Sequence, residues 1–174
     1  MARRTSLREF QLSVANRLRD LASRKTVSSK LGFQVGGENW IVNLIDVSEV
    51  IPVPQIMQVP LTRGWFRGVA NVRGNLYSIA DFAAFQGAEA TAQGAERRVI
   101  LLSERRIVGS GILIGRMLGL RNPEQLVREP DPADKPAWVR GVFRDPAGTL
   151  WKELDVEALT EDARFLEVGV AHTA

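Results

Sequence analysis

Two stretches of this chain spell the same pattern. Residues 65–85 and 138–159 align once a single residue, Ala147, is set aside as an insertion, and eight of 21 positions are then identical. The shared residues are Trp65/Trp138, Arg67/Arg140, Gly68/Gly141, Val69/Val142, Gly74/Gly148, Leu76/Leu150, Asp81/Asp155 and Ala84/Ala158. Unrelated stretches of this composition would share about one or two. Each copy reads as an apolar run, a tight turn, a second apolar run and then an acid before an apolar residue. In the second copy Asp145, Pro146 and Gly148 occupy positions that a type I turn favours. In the first copy the turn falls on Asn71-Val72-Arg73-Gly74.

The surroundings of the repeat are strand-like. Short β-branched runs at 33–35, 40–45, 66–70, 76–79, 98–102, 107–114, 138–143 and 149–151 are separated by Gly, Pro or Asn. Two such runs lie upstream of each copy. This predicts an all-β body of two small barrels of similar build. Neither has much core alone, so they should pack together and leave a groove at their junction. Gly109 and Gly111 mark a bend in one strand. Asn122 followed by Pro123 starts a short helix, and Asp155 caps another expected to run through Phe165.

The body is preceded by a different texture. Ser6 and Glu9 fit a capping box, and Leu7, Phe10, Val14, Leu18 and Leu21 recur at helical spacing. Residues 1–30 are therefore expected to be an amphipathic basic helical arm and linker, 31–165 the paired-barrel domain, and 166–174 a tail. The first barrel is assigned mainly to 31–95 and the second mainly to 96–160, with elements open to exchange between them. The arm carries eight Lys/Arg and two acids, while the other 144 residues carry fifteen Lys/Arg and eighteen acids. The body is thus mildly acidic. That counts against the rival reading, a small basic β-barrel that binds nucleic acid, which would carry its positive charge on the barrel.

Enzyme chemistry finds little to work with. Of 174 residues none is Cys and one is His, His172. Thiolate metal sites, disulfides, Cys nucleophiles and most His-dependent mechanisms are excluded. No phosphate-cradling loop or metal-spaced cluster is present. Gly109-Ser110-Gly111 falls short of a nucleophile elbow and reads as a strand bend. Asp46 and Glu49 read as solvated acids at a strand end. Trp65 and Trp138, at equivalent positions, read as core anchors, and so does Trp40. The longest uncharged stretch, residues 50–62, holds three prolines and is too short to span a bilayer. No cofactor, metal or membrane insertion is expected. Arg73 stands out: it sits on a hairpin tip, and its counterpart in the second copy, Pro146, is uncharged.

The run Gly68-Val69-Ala70-Asn71-Val72-Arg73-Gly74, with Val47-Ser48-Glu49-Val50-Ile51 upstream and Asp81-Phe82 downstream, resembles the CheW family of chemotaxis coupling proteins. Within it the chain is most similar to members serving type IV pilus chemosensory systems. The resemblance implies two five-stranded SH3-like β-barrels around a shared core and no catalysis. It implies a scaffold that bridges the cytoplasmic tip of a chemoreceptor to the regulatory domain of a histidine kinase. Such a protein would be cytoplasmic and recruited to membrane-associated receptor arrays. Carried over by motif, Val47, Glu49, Gly68, Asn71, Arg73 and Gly74 map to the receptor-facing groove, and exposed strands of the first barrel would meet the kinase. The family often has Pro before its hydrophobic-Asp pair, where this chain has Ser78-Ile79-Ala80-Asp81.

Overall fold

A computed structural model describes residues 29–170. The arm's expected helix and His172 lie outside the described residues. The described residues form twelve strands in two sheets. In chain order they are β1 (Lys30–Val35), β2 (Glu38–Asn43), β3 (Val47–Pro52), β4 (Ile56–Met57), β5 (Phe66–Val72), β6 (Asn75–Asp81), β7 (Arg98–Leu102), β8 (Ser110–Ile114), β9 (Arg116–Arg121), β10 (Val127–Glu129), β11 (Val139–Arg144) and β12 (Leu150–Leu154). Three short helices are α1 (Phe82–Phe85), α2 (Val156–Glu161) and α3 (Ala163–Leu166).

One sheet runs β10-β11-β12-β2-β1-β9 and the other β4-β5-β6-β8-β7-β3. Written this way they correspond strand for strand in order, and each has a single parallel pair at its centre, β12 with β2 and β6 with β8. Each sheet counts six strands where five were expected. The additions are the shortest strands, β4 and β10, which extend one edge of each sheet.

The repeat is conformational as well as chemical. Gly68 pairs with Ile79 and Asn71 with Leu76, as Gly141 pairs with Glu153 and Arg144 with Leu150. Both hairpins shift register at the same point, beside the shared glycine. Asp81 caps α1 by accepting from the Ala84 amide, and Asp155 caps α2 by accepting from the Ala158 amide. The backbone carbonyls of Trp65 and Trp138 accept from the amides of Asp81 and Asp155. The helix expected through Phe165 is two helices. Asp162 takes extended backbone angles and caps α3 through the Arg164 amide, which ends α2.

The two halves share their main core. Trp138, from the second copy, packs against Phe82 and Phe85 of the first copy's α1 and stacks on Trp40. Trp65, from the first copy, stacks on Phe165 of α3. Each tryptophan thus meets aromatics carried by the other half. Trp40 and Trp138 are buried, as expected of anchors, whereas Trp65 is half-buried. A second, smaller apolar cluster, including Ile51, Tyr77, Ile79 and Leu113, lies on the other face of the β3–β8 sheet from the shared core, to which Ala80, Ile100 and Ile112 of the alternate positions belong.

Candidate functional site at the first hairpin tip

The β5–β6 hairpin closes with two residues, Arg73 and Gly74, both at positive φ (52° and 90°). Two successive left-handed residues make a type I′ turn, whose twist matches that of the flanking strands. The tip therefore sits one residue later than the sequence pattern placed it, and Val72 belongs to the strand. Asn71 accepts from the Gly74 amide at 2.8 Å through Oδ1 and braces the turn. A turn of this type favours Asn or Gly at its first central position. An arginine there holds a left-handed backbone that a side chain of its kind rarely adopts.

The guanidinium explains where that side chain goes. Arg73 donates through Nη1 to Glu49 Oε2 at 2.8 Å and through Nη2 to Oε1 at 2.7 Å. This is a fork-to-fork pair, the geometry in which Arg and carboxylate bind most strongly. These bonds, and then the carboxylate's charge, raise the Arg73 pKa above its ordinary value. Glu49 lies on β3, at the far edge of the sheet from β5. On a flat sheet β3 and β6 would stand about 14 Å apart, so the contact requires a strongly curled sheet. The Arg73 side chain remains 73% exposed and Glu49 36% exposed.

Of the six residues the sequence singles out, the structure thus joins Glu49 to Arg73 and Asn71 to Gly74. Gly68 is set apart. It is buried at φ +126°, and a Cβ there would stand 2.0 Å from the Met57 carbonyl oxygen. Its part is to let β4 close against β5. Val47 is half-buried against the shared core. The reading of Asp46 as a solvated acid is corrected. It is buried, and Arg106, sixty residues on, donates to its Oδ1 at 2.8 Å. Ser110 is buried within β8. No cluster of acids and histidines that could hold a metal occurs among the described residues.

The second copy lacks this arrangement. Its turn is Asp145-Pro146-Ala147-Gly148, closed by a bond from the Gly148 amide to the Asp145 carbonyl at 2.9 Å. Asp145 also accepts from the Thr149 and Ala147 amides and from Trp151 Nε1. The indole bond above all lowers its pKa. By strand register the counterpart of Glu49 is Gly119 on β9. Both members of the charged pair are therefore particular to the first copy.

Comparisons with known proteins agree with this architecture. Residues 30–164 match the family described as the CheW-like domain. The chain is 32% identical over 146 residues to protein PilI of Pseudomonas aeruginosa, covering 82% of this chain and 80% of that one. It is 23% identical over 132 residues to the chemotaxis protein CheW of Helicobacter pylori, covering 68% and 79%. Among solved structures, the scaffolding protein TtCheW from Thermoanaerobacter tengcongensis superposes with a TM-score of 0.67 at 17% identity, over 81% of this chain and 97% of that one.

Proposed function

Because the chain belongs to the CheW-like domain family, a family of non-catalytic scaffolds, we propose that it couples a chemoreceptor of the methyl-accepting type to a histidine kinase. Its similarity to PilI supports a place in a chemosensory array that controls type IV pilus motility. It acts in the cytoplasm, recruited to receptors that are themselves in the membrane. No helix of the described residues is long and apolar enough to cross a bilayer. We assign the receptor's cytoplasmic tip to the first hairpin, through Arg73, Glu49, Asn71 and Gly74, with Val47 and Gly68 shaping the adjoining surface. The kinase's regulatory domain meets another face, on exposed strands of the first barrel.

One observation carries the assignment. Arg73 occupies a turn position that backbone physics would give to Asn or Gly, and its guanidinium is exposed while held in place by Glu49. Nη1 and Nη2 each give one hydrogen to Glu49, which leaves Nε–H and the outer Nη hydrogens to donate. A guanidinium held at a fixed angle suits recognition of a carboxylate or of helix-end carbonyls better than a mobile ammonium does. Co-purification tests the reading. The full chain should retain both a receptor signalling fragment and a histidine kinase, and Arg73→Glu should lose the first and keep the second. Loss of both, or retention of both, would contradict the assignment.

A further inference from the structure

Two surface grooves lie beside corresponding strands of the two sheets and differ in what lines them. One lies beside β12, lined by Val35, Ala83 and Ala88 together with Glu38, Gln86 and Lys152. It is spanned by an ion pair, Lys152 Nζ donating to Glu38 Oε1 at 2.6 Å. Its mate lies beside β6, with a volume of about 210 Å³, lined by Trp65, Phe66, Ile107, Val108, Phe165 and Leu166. Here Ser78 stands where the other copy has Lys152, and the rim is apolar. Val108 is 78% exposed and Leu166 53% exposed. Apolar side chains rimming a groove in one copy, where the other copy has an ion pair, mark a surface that something covers.

Where the described chain begins points to the occupant. The Ser29 carbonyl accepts from the Leu44 amide at 3.1 Å. Leu44 opens a single 3₁₀ turn that ends at Asp46. The Asp46 carbonyl accepts from the Ser103 amide at 2.9 Å, and the Ser103 carbonyl accepts from Ile107 at 3.2 Å. Residue 29 is therefore linked by a short run of hydrogen bonds to the groove's own wall. Preceding it are 28 residues in which Leu7, Phe10, Val14, Leu18 and Leu21 share one face at helical spacing. The polar stretch 25–28 reaches about 14 Å when extended, and a helix over 6–24 would be about 28 Å long. Charge agrees, with residues 1–30 carrying +6 and the rest of the chain −3.

We propose that residues 1–28 fold back onto this apolar groove of their own chain, seating the apolar face of the arm against Phe66, Val108 and Leu166. The arm and the groove then cover each other, and the arm's arginines stay in water.

The absence of cysteine makes the test clean, since any thiol is an introduced one. In the full chain, Val108→Cys is combined in turn with Phe10→Cys, Val14→Cys, Leu18→Cys or, from another face, Arg19→Cys. Under mild oxidation at low protein concentration, at least one apolar-face pair should close an intramolecular disulfide tenfold or more faster than the Arg19 pair. Equal rates from both faces would overturn the proposal, and so would disulfides formed mainly between two molecules, which would name a second copy as the occupant. As a second measurement, Val108→Asp with Leu166→Asp should speed tryptic cleavage within the arm severalfold. An unchanged cleavage rate in that variant, its body still folded, would also overturn it.

Discussion

The two hairpins of this protein share a strand register, a bulge, an aspartate cap and a tryptophan, and part ways at their tips. The second tip is the conventional solution. Asp145 gathers two backbone amides and an indole, and Gly148 takes the left-handed position at φ 83°. The first tip spends a left-handed position on Arg73 and ties it to a strand at the opposite edge of the sheet. Shared features hold the fold, whereas the Arg73–Glu49 pair has no counterpart in the second copy.

The largest expected effects fall on the shared scaffold. Trp138→Ala should cost about 3–5 kcal/mol, since it deletes a buried aromatic at the junction of both halves. Trp65→Ala, from a half-buried position, should cost about 2–3 kcal/mol. Urea denaturation of both variants checks the order; equal midpoints would mean that the two copies contribute alike.

Gly68 and Gly141 are identical in the repeat but differ in surroundings. A methyl group at Gly68 meets backbone at 2.0 Å on a left-handed φ, whereas at Gly141 it meets the Arg128 guanidinium end and the Phe143 ring edge at 3.3–3.4 Å. Gly68→Ala should therefore cost about 2–4 kcal/mol, combining strain and overpacking. Gly141→Ala should stay within about 1 kcal/mol, because a surface side chain can move aside. Similar midpoints for the pair would show that β4 yields easily.

Arg73→Asn sharpens the comparison further. It creates Asn-Gly, the favoured type I′ pair, and removes an exposed ion pair, which contributes little to stability. The two effects oppose, so stability should stay within about 0.5 kcal/mol while receptor binding is lost. A fall of more than 1 kcal/mol in a denaturant titration would mean that the bridge exists for the fold.

The smallest effect is a pH response confined to the second tip. Asp145 has its pKa lowered in the folded protein. Its stabilisation is therefore complete above the unfolded carboxylate value of about 3.9 and is lost as pH falls through the lower folded value. As pH falls through that lower folded value, the Ala147 and Thr149 amides and the Trp151 indole should lose protection relative to their intrinsic exchange rates. The Gly74 amide, held by the neutral Asn71, should not follow them, and parallel loss of protection at both tips would contradict this.

What the sequence reveals and what it hides divide along physical lines. The inner strands announce themselves through short apolar runs, most plainly β7 and β8, which are buried almost throughout. β3, β4, β9 and β10 do not, and these four are the outer edges of the two sheets. Edge strands carry charges, prolines and glycines that discourage pairing with other chains, as Glu49 and Pro52 do in β3 and Gly119 in β9. The same four strands weaken any apolar pattern. The hairpin tip is legible as Asn-Val-Arg-Gly, but the Glu49 bond is not, because it depends on the curl of a sheet whose edge strand is itself hidden. Asp46 is misread for the same reason: its partner is sixty residues away, and nothing local predicts its burial.

The central claim is that the first tip, and not its twin, recognises the receptor. Isothermal titration of a receptor signalling fragment into the full chain, into Arg73→Glu and into Pro146→Glu tests it directly. Placing a carboxylate opposite Glu49 removes the fork and adds repulsion. Disrupting a charged contact at an interface typically costs about 2–5 kcal/mol, so Arg73→Glu should weaken binding by about 30-fold or more. Pro146→Glu makes the matching change on the second tip and should leave the affinity within about twofold of wild type. An Arg73→Glu affinity within twofold of wild type, or equal losses from both substitutions, would contradict the account.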